Sequence, residues 1–183
     1  GVSLFTYFDS WLSILLQYQG KYFDKATKLI VDGYNICFDK TNWPELQVHM
    51  AAGELEYARD KLIQYIRDLA NMCGYQATIV FDSQRAAEEQ VEDKEGVEVV
   101  YTTSSMNADG WIEAHVAEQR ARGFPEMITV ATSDRAEMET VIGGGCSVIS
   151  SRLLRLQYDN SYCTIVQPWI DNENELTQVR ETD

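Results

Sequence analysis

Short apolar runs alternate along this chain with longer segments in which apolar residues recur every three or four positions. The helical spacing is clearest from 55 to 72, where Gly74 ends it. Runs with the composition of buried strands occupy 29–31, 77–81, 97–101, 127–131 and 146–149. Strands that alternate with helices indicate right-handed βαβ connections. We therefore predict an α/β fold, a single Rossmann-like domain whose mainly parallel five-stranded sheet has helices on both faces.

The two ends of the chain depart from this pattern. Leu4, Phe8, Trp11, Leu15 and Tyr18 form the stripe of an amphipathic helix, so residues 1–27 are predicted to be an N-terminal helical extension. Its apolar stripe is expected to contact the domain or a partner protein rather than a membrane. Residues 158–183 are polar and acidic and are predicted to form a C-terminal tail. Both ends are candidate protein–protein contacts, and 28–157 is the predicted main domain.

Acidic residues follow three of the predicted strands. Asp32 and Asp82 come directly after apolar runs, and Asp134 follows the run 127–131 after Thr132 and Ser133. Ligand crevices in open α/β sheets lie at the carboxyl ends of the strands, so these acids are expected to converge. Asp109 and Glu113 share one face of a predicted helix that begins near the same edge. Each aspartate by itself is better explained as a helix cap or a turn residue, but the set together favours a site, because turn chemistry does not require every strand to end in the same way.

Several carboxylates in one crevice repel one another and raise each other's pKa unless a cation is present. Magnesium and manganese prefer oxygen ligands, and in phosphodiester hydrolysis such ions activate water and stabilise the leaving oxygen. The acidic crevice therefore predicts a Mg²⁺ or Mn²⁺ site and phosphoryl-transfer chemistry.

The overall charge argues against simple nucleic-acid binding. The 183 residues include 29 acidic and 15 basic side chains, a formal net charge of −14. Proteins that bind RNA through phosphate contacts normally present a basic face. Either metal ions and a partner compensate for this charge, or RNA is not the ligand.

The cysteines and the hydropathy pattern bear on the cellular compartment. The four cysteines form no CxxC pair and read as reduced thiols. No run approaches the roughly 20 apolar residues that span a bilayer, so no membrane insertion is expected. The chain begins at Gly1 rather than Met, so organelle import stays open. We expect either the bacterial cytoplasm or the plastid stroma.

One ordered set of motifs resembles a known family. The run from Leu29 to Asn35, Leu-Ile-Val-Asp-Gly-Tyr-Asn, resembles the opening strand of NYN-domain (PIN-like) proteins of the bacterial YacP type. Val80-Phe81-Asp82, the segments 97–102 and 108–113, and Thr132-Ser133-Asp134-Arg135 resemble later motifs of that family in the same order. The resemblance covers about residues 28–157, and the ordered set is far more specific than any single motif.

The resemblance implies a PIN-like fold and a metal-dependent endoribonuclease, of a type linked to cleavage of mRNA on translating ribosomes. Residues that would bind the Mg²⁺ or Mn²⁺ are Asp32, Asp82, Asp109 and Asp134. Asn35 would orient the site, or serve only as a turn residue. Glu113 would hold a water or a basic neighbour. Arg135 would contact the scissile phosphate, or form an ion pair at a helix start.

A non-catalytic role is the alternative. Gly110 follows Asp109 where many relatives carry another acid or a polar residue, and the charge and the N-terminal extension are also compatible with a scaffold. The chain would then be an NYN-fold subunit of a large assembly, for example in a plastid. In the first hypothesis RNA is presented by a ribosome or another large assembly, which supplies the phosphate-neutralising contacts that this acidic chain lacks.

Overall fold

A six-stranded sheet forms the centre of the protein. The computed structural model describes residues 28–83, 85–123 and 127–166. The strands are β1 (Lys28–Asp32), β2 (Gln76–Phe81), β3 (Gln90–Lys94), β4 (Val97–Tyr101), β5 (Ile128–Ala131) and β6 (Ser147–Ile149). Their spatial order is β3-β4-β2-β1-β5-β6. All neighbouring pairs are parallel except β3 with β4.

Helices cover both faces of this sheet. They are α1 (Gly33–Cys37), α2 (Pro44–Ala51), α3 (Leu55–Cys73), α4 (Ala108–Arg122), α5 (Arg135–Gly143) and α6 (Ser151–Ser161), which continues into a π-helical turn (Tyr162–Val166). The predicted α/β architecture is confirmed. The two terminal predictions, the amphipathic helix in 1–27 and most of the acidic tail from 158, lie outside the described residues.

The sheet has six strands rather than the predicted five, and it is mixed. The additional strand is β3, whose sequence Gln-Val-Glu-Asp-Lys is exposed throughout. It pairs with β4 through a tight turn at Glu95 and Gly96, which both have positive φ angles, of 55° and 91°. An edge strand with charged side chains leaves no hydrophobic pattern to detect, which explains why the sequence did not reveal it.

The alternation of side chains in the central strands builds two cores. Leu29 and Val31 of β1 face one side, where they join the buried residues of α1, α2, α3 and α6. Ile30 faces the other side, with the buried residues of α4 and α5. Because both faces are covered, the buried positions of the central strands are apolar apart from Asp32 and Thr78, as expected of parallel strands.

Helix α3 is the longest helix that the structure describes. Its stripe of Ala58, Leu62, Ile66 and Leu69 is buried against the sheet, and Gly74 ends the helix in the left-handed conformation with φ of 73°. This matches the sequence prediction. The predicted domain boundary at 157 falls inside α6.

Helix α6 packs against the rest of the domain at its start and in its later turns. The Trp43 indole N–H donates to the Ser151 carbonyl at 3.2 Å, and the Tyr158 ring contacts the Tyr65 ring at 4.9 Å between centroids.

No described helix has the length and apolar character required to cross a bilayer.

Candidate metal centre

The topology places one edge of the sheet in a position to bind a ligand. β1 lies between β2 and β5, and the chain leaves β1 over the face covered by α1, α2 and α3, whereas α4 and α5 cover the other face. The carboxyl ends of β1 and β5 therefore flank the point where the strand order reverses. A crevice is expected at such a switch point.

Asp32 ends β1 inside this crevice. It is only 6% exposed, and its Oδ1 accepts a hydrogen bond from the Asn35 backbone N–H at 3.3 Å, which caps the short helix α1. The next residue must be small, because a Cβ added to Gly33 would lie 2.4 Å from the Phe81 ring. The Asp-Gly pair therefore lets the backbone turn directly beneath an aromatic side chain while the carboxylate stays at the strand end.

Asn35 connects the loops that follow β1 and β5. Its side-chain carbonyl accepts a hydrogen bond from the Ser133 backbone N–H at 2.9 Å. The Ser133 hydroxyl in turn accepts one from the Ser151 backbone N–H at 3.0 Å. Asn35 therefore does more than stabilise its own turn, because it sets the distance between two strand ends that carry acids.

Asp134 begins helix α5. Its Oδ1 accepts hydrogen bonds from the backbone N–H groups of Ala136 at 2.8 Å and Glu137 at 3.1 Å, the geometry of an N-cap. Glu137 lies three residues after this cap and is 6% exposed. The cap thus fixes the helical turn that carries a second buried acid.

Asp82 anchors the start of α4 in a similar way. Its Oδ1 accepts a hydrogen bond from the backbone N–H of Ala108, the residue before Asp109. The Asn107 side chain completes the helix start by accepting from the Gly110 N–H at 2.9 Å. Through these contacts the end of β2 holds Asp109 next to the crevice.

Three carboxylates meet at the centre of the site. Asp32, Asp109 and Glu137 each offer one oxygen, and these oxygens all lie within 4.8 Å of one another. They come from β1, α4 and α5, which are distant in sequence. An open pocket of about 570 Å³ lies at this place, and its walls are formed by Asp32, Tyr34, Asn35, Phe38, Asp39, Asp82, Asp109, Ser133 and Asp134.

The acids of the centre hold their protons more tightly than free carboxyls. Burial, together with the nearby charges of Glu137, Asp109 and Asp82, raises the pKa of Asp32 from 3.8 to about 8, although the Asn35 N–H opposes the rise. Burial and the charges of Asp109 and Asp134 raise the pKa of Glu137 from 4.5 to about 7. The pKa of Asp109 is also raised, by partial burial and then by Asp134 and Asp82.

This donor set fits a hard divalent cation. Every candidate ligand is a carboxylate oxygen, which Mg²⁺ and Mn²⁺ prefer. Both Glu137 oxygens are buried and make no well-formed hydrogen bond within the described chain, although the side chains of Thr132 and Asp32 are close enough to lower the pKa of Glu137. Buried, poorly paired carboxylates that crowd together are stabilised by a cation, so the residues present suit the predicted metal.

The sequence-predicted site residues occupy different positions relative to this centre. Asp32 and Asp109 belong to the three-carboxylate group, and Asp82, Asp134 and Asn35 line the same pocket. Asp82 and Asp134 each also accept backbone N–H groups at a helix start, so the capping interpretation is confirmed for both, and their role as metal ligands stays a prediction.

Two of the sequence-predicted residues lie apart from the pocket lining, and one site residue was missed. Glu113 and Arg135 are exposed and are not among the residues that form the pocket walls.

Glu137 was not predicted from the sequence. Its only signal in the sequence is a glutamate three positions after the Asp134 cap, the spacing of a capping box, which is usually a purely structural motif.

Comparison with known proteins identifies the family. The model of the YacP-like NYN domain matches residues 29–181. The chain belongs to this family. It is 34% identical over 127 residues to the uncharacterized protein YacP of Bacillus subtilis strain 168, an alignment that covers 69% of this chain and 71% of the relative.

Solved structures agree with this assignment. A crystal structure of Rae1 (YacP) from Bacillus subtilis, a tryptophan-to-leucine mutant, matches with a TM-score of 0.67 and 28% identity, over 85% of this chain and 89% of the other. A second crystal structure of Rae1 (YacP) gives a TM-score of 0.63 and 29% identity, over 85% and 87% of the two chains. The protein is thus a YacP-like NYN protein of a nuclease family, in which divalent metals are generally used.

Proposed function

We propose that this NYN protein is a metal-dependent endoribonuclease that acts on RNA, most simply mRNA, presented by a ribosome or another large assembly. The observation that carries the proposal is the convergence of Asp32, Asp109 and Glu137 within 4.8 Å at the carboxyl edge of the sheet. A single capping aspartate has a structural explanation. Three crowded carboxylates destabilise the metal-free protein through their mutual repulsion, and such arrangements are typical of functional sites.

The residues divide into ligands and supports. Asp32, Asp109 and Glu137 would hold the cation, and Asp82 and Asp134 add negative charge at the pocket wall. When bound, a Mg²⁺ or Mn²⁺ ion activates a water molecule and stabilises the leaving oxygen of a phosphodiester. Asn35 keeps the two strand ends at a fixed separation, so its contribution is positional.

Proton release accompanies the binding of a cation. In the metal-free protein near neutral pH, Asp32 with a pKa of about 8 holds its proton, and Glu137 with a pKa of about 7 is partly protonated. Both carboxyls must lose these protons before their oxygens can serve as charged ligands. We therefore expect activity to rise with pH between about 6 and 8, in parallel with metal affinity.

The need for an assembly follows from charge. A net charge of −14 gives the free protein little affinity for a polyanion, and the pocket itself is lined by five aspartates. A ribosome that already holds the RNA supplies the necessary local concentration. The cation then neutralises charge only where the scissile phosphate enters.

The proposal is tested by cleavage of RNA on a purified ribosomal complex in Mg²⁺ or Mn²⁺. We expect cleavage by the wild-type protein, a loss of at least a hundredfold in Asp32→Asn and Glu137→Gln, and no effect beyond about twofold in the exposed control Glu113→Gln. Chelation of the metal should abolish cleavage.

The same experiment addresses the scaffold alternative. Unchanged cleavage in Asp32→Asn would mean that the carboxylate centre is not the catalytic site. Stable association of the wild type with the assembly, without cleavage in either metal, would favour a non-catalytic NYN subunit. Calorimetric titration of Mn²⁺ into the wild type and Glu137→Gln reports metal binding separately from catalysis.

A further inference from the structure

One wall of the pocket is aromatic rather than acidic. Tyr34 and Phe38 line the same pocket as the carboxylates, and their ring centroids lie 6.2 Å apart with planes inclined at 45°. The Phe38 side chain is 59% exposed, although it is a large apolar group with no charge to keep it in water. An exposed phenyl ring beside a candidate active site offers an apolar face to which an apolar or planar ligand can bind.

The Tyr34 ring is fixed before any ligand arrives. It contacts the Phe81 ring edge-on, with centroids 5.1 Å apart. Its hydroxyl accepts a hydrogen bond from Arg59 Nη1 at 3.2 Å, and the Arg59 guanidinium lies 5.6 Å from the centre of the Tyr101 ring. Phe38 is attached to the same short helix, because its backbone N–H donates to the Tyr34 carbonyl at 3.0 Å. The Tyr34 ring and the backbone of Phe38 are therefore held in place, which preorganises this side of the pocket.

We propose that Tyr34 and Phe38 form a stacking platform that binds an unpaired base of single-stranded RNA beside the scissile phosphate. This inference rests on the proposed nuclease function and names the state of its substrate at the site. Stacking on aromatic side chains is a common means of holding single-stranded nucleic acid, and it requires an unstacked base.

The charges of the pocket favour this occupant. Asp32, Asp39, Asp82, Asp109 and Asp134 share the walls, so phosphate groups are repelled everywhere except at a bound cation. Base stacking supplies affinity without a positive charge. The metal and the platform thus select complementary parts of one nucleotide segment, its phosphate and its base.

The test uses the full chain and a chemical change in the substrate. We compare kcat/KM in Mn²⁺ for a single-stranded oligoribonucleotide presented on the purified ribosomal complex and for versions that carry one abasic nucleotide at successive positions around the cleaved bond. Phe38→Ala should lower kcat/KM about tenfold to a hundredfold on the intact oligonucleotide. On the version that lacks the stacked base, the wild type and Phe38→Ala should cleave equally.

Matched variants separate stacking from damage to the fold. Tyr57→Ala removes another exposed aromatic ring, 51% exposed on α3 and outside this pocket, and should stay within twofold of the wild type. Phe38→Trp should retain or improve cleavage, because a larger ring still stacks. Calorimetric Mn²⁺ affinity should be the same in Phe38→Ala and in the wild type.

The outcomes distinguish the platform from the nuclease function. Equal cleavage of the intact oligonucleotide by Phe38→Ala and the wild type overturns the platform, as does the same loss on every abasic version. If the wild type cleaves no RNA, the nuclease proposal fails, and the platform is judged by photocrosslinking to a 5-iodouridine oligonucleotide. A crosslink at Phe38 or Tyr34 then supports it, and the absence of one, or a crosslink to a copurifying protein segment instead, overturns it.

Discussion

Replacing Asp32 by asparagine should stabilise the metal-free protein at alkaline pH while it removes metal binding. Asp32 is almost fully buried, and the charges of Glu137, Asp109 and Asp82 oppose its ionisation. Asparagine has nearly the same size and can still accept the Asn35 N–H through its carbonyl oxygen. The substitution therefore removes the charge and leaves most of the packing.

The direction of the pH dependence follows from proton binding. The unfolded chain releases the Asp32 proton near pH 4, whereas the folded chain retains it until about pH 8. Between these values the folded state binds more protons, so the free energy of unfolding falls as pH rises and is lowest above pH 8. Below about pH 4 the carboxyl is protonated in both states and imposes no cost.

The magnitude comes from the rise of about four pH units in the Asp32 pKa. At ~1.4 kcal/mol per unit, a rigid site would lose about 5–6 kcal/mol by pH 8.5. Water entry into the open pocket and relaxation of Glu137 reduce this cost, and we expect Asp32→Asn to be more stable than the wild type by about 2 kcal/mol. For a chain of this length that corresponds to about 4–8 °C in Tm.

The assay is thermal unfolding in a chelating buffer at pH 5 and pH 8.5, repeated at pH 8.5 with saturating Mn²⁺. The gain in Asp32→Asn should be large at pH 8.5 and small at pH 5, and Mn²⁺ should raise the Tm of the wild type but not that of Asp32→Asn. Glu113→Gln, an exposed acid on α4, should behave like the wild type throughout. A lower Tm for Asp32→Asn in chelator at pH 8.5, or an undiminished response to Mn²⁺, would refute the reasoning.

Three further outcomes are expected. Asp134→Ala removes the cap of α5 and should lower the free energy of unfolding in urea by about 1 kcal/mol, and Asp134→Ser should recover it because serine also caps. If Asp134→Ser recovers the stability but binds metal more weakly than the wild type, the Asp134 carboxylate also contributes to metal binding. Gly33→Ala should cost about 2–3 kcal/mol in urea, because its Cβ would overlap the Phe81 ring, and a neutral result would contradict this fit. Glu137→Gln should weaken Mn²⁺ binding at least tenfold by calorimetry.

The sequence predicted the centre of the fold because that part obeys simple rules. Strands buried on both faces are continuous apolar runs, and their ends are marked by Asp32, Asp82 and the Thr-Ser-Asp segment at 132–134. The same rules place those ends at one edge of the sheet, so the convergence of acids from β1, β2 and β5 followed from topology alone.

The parts that the sequence did not reveal depend on contacts rather than on patterns. β3 is an exposed, charged edge strand that exists because it pairs with β4, and α6 continues past residue 157 because Tyr158 packs on Tyr65. Glu137 carries no local mark of its role. Only the three-dimensional structure shows that this glutamate of α5 is buried, with an oxygen within 4.8 Å of an Asp32 oxygen.

The charge of the chain has a different meaning once the site is known. Counted along the sequence, −14 describes a protein that repels RNA, but part of that count is neutral in the folded, metal-free state, because near pH 7 Asp32 keeps its proton and Glu137 is partly protonated. A divalent cation that displaces those protons changes the net charge of the site little, but it concentrates two positive charges on one ion that can contact a phosphate oxygen directly. Under the proposed function, metal and RNA should therefore bind cooperatively, and the acidic pocket becomes attractive to one phosphate only after the metal has entered it.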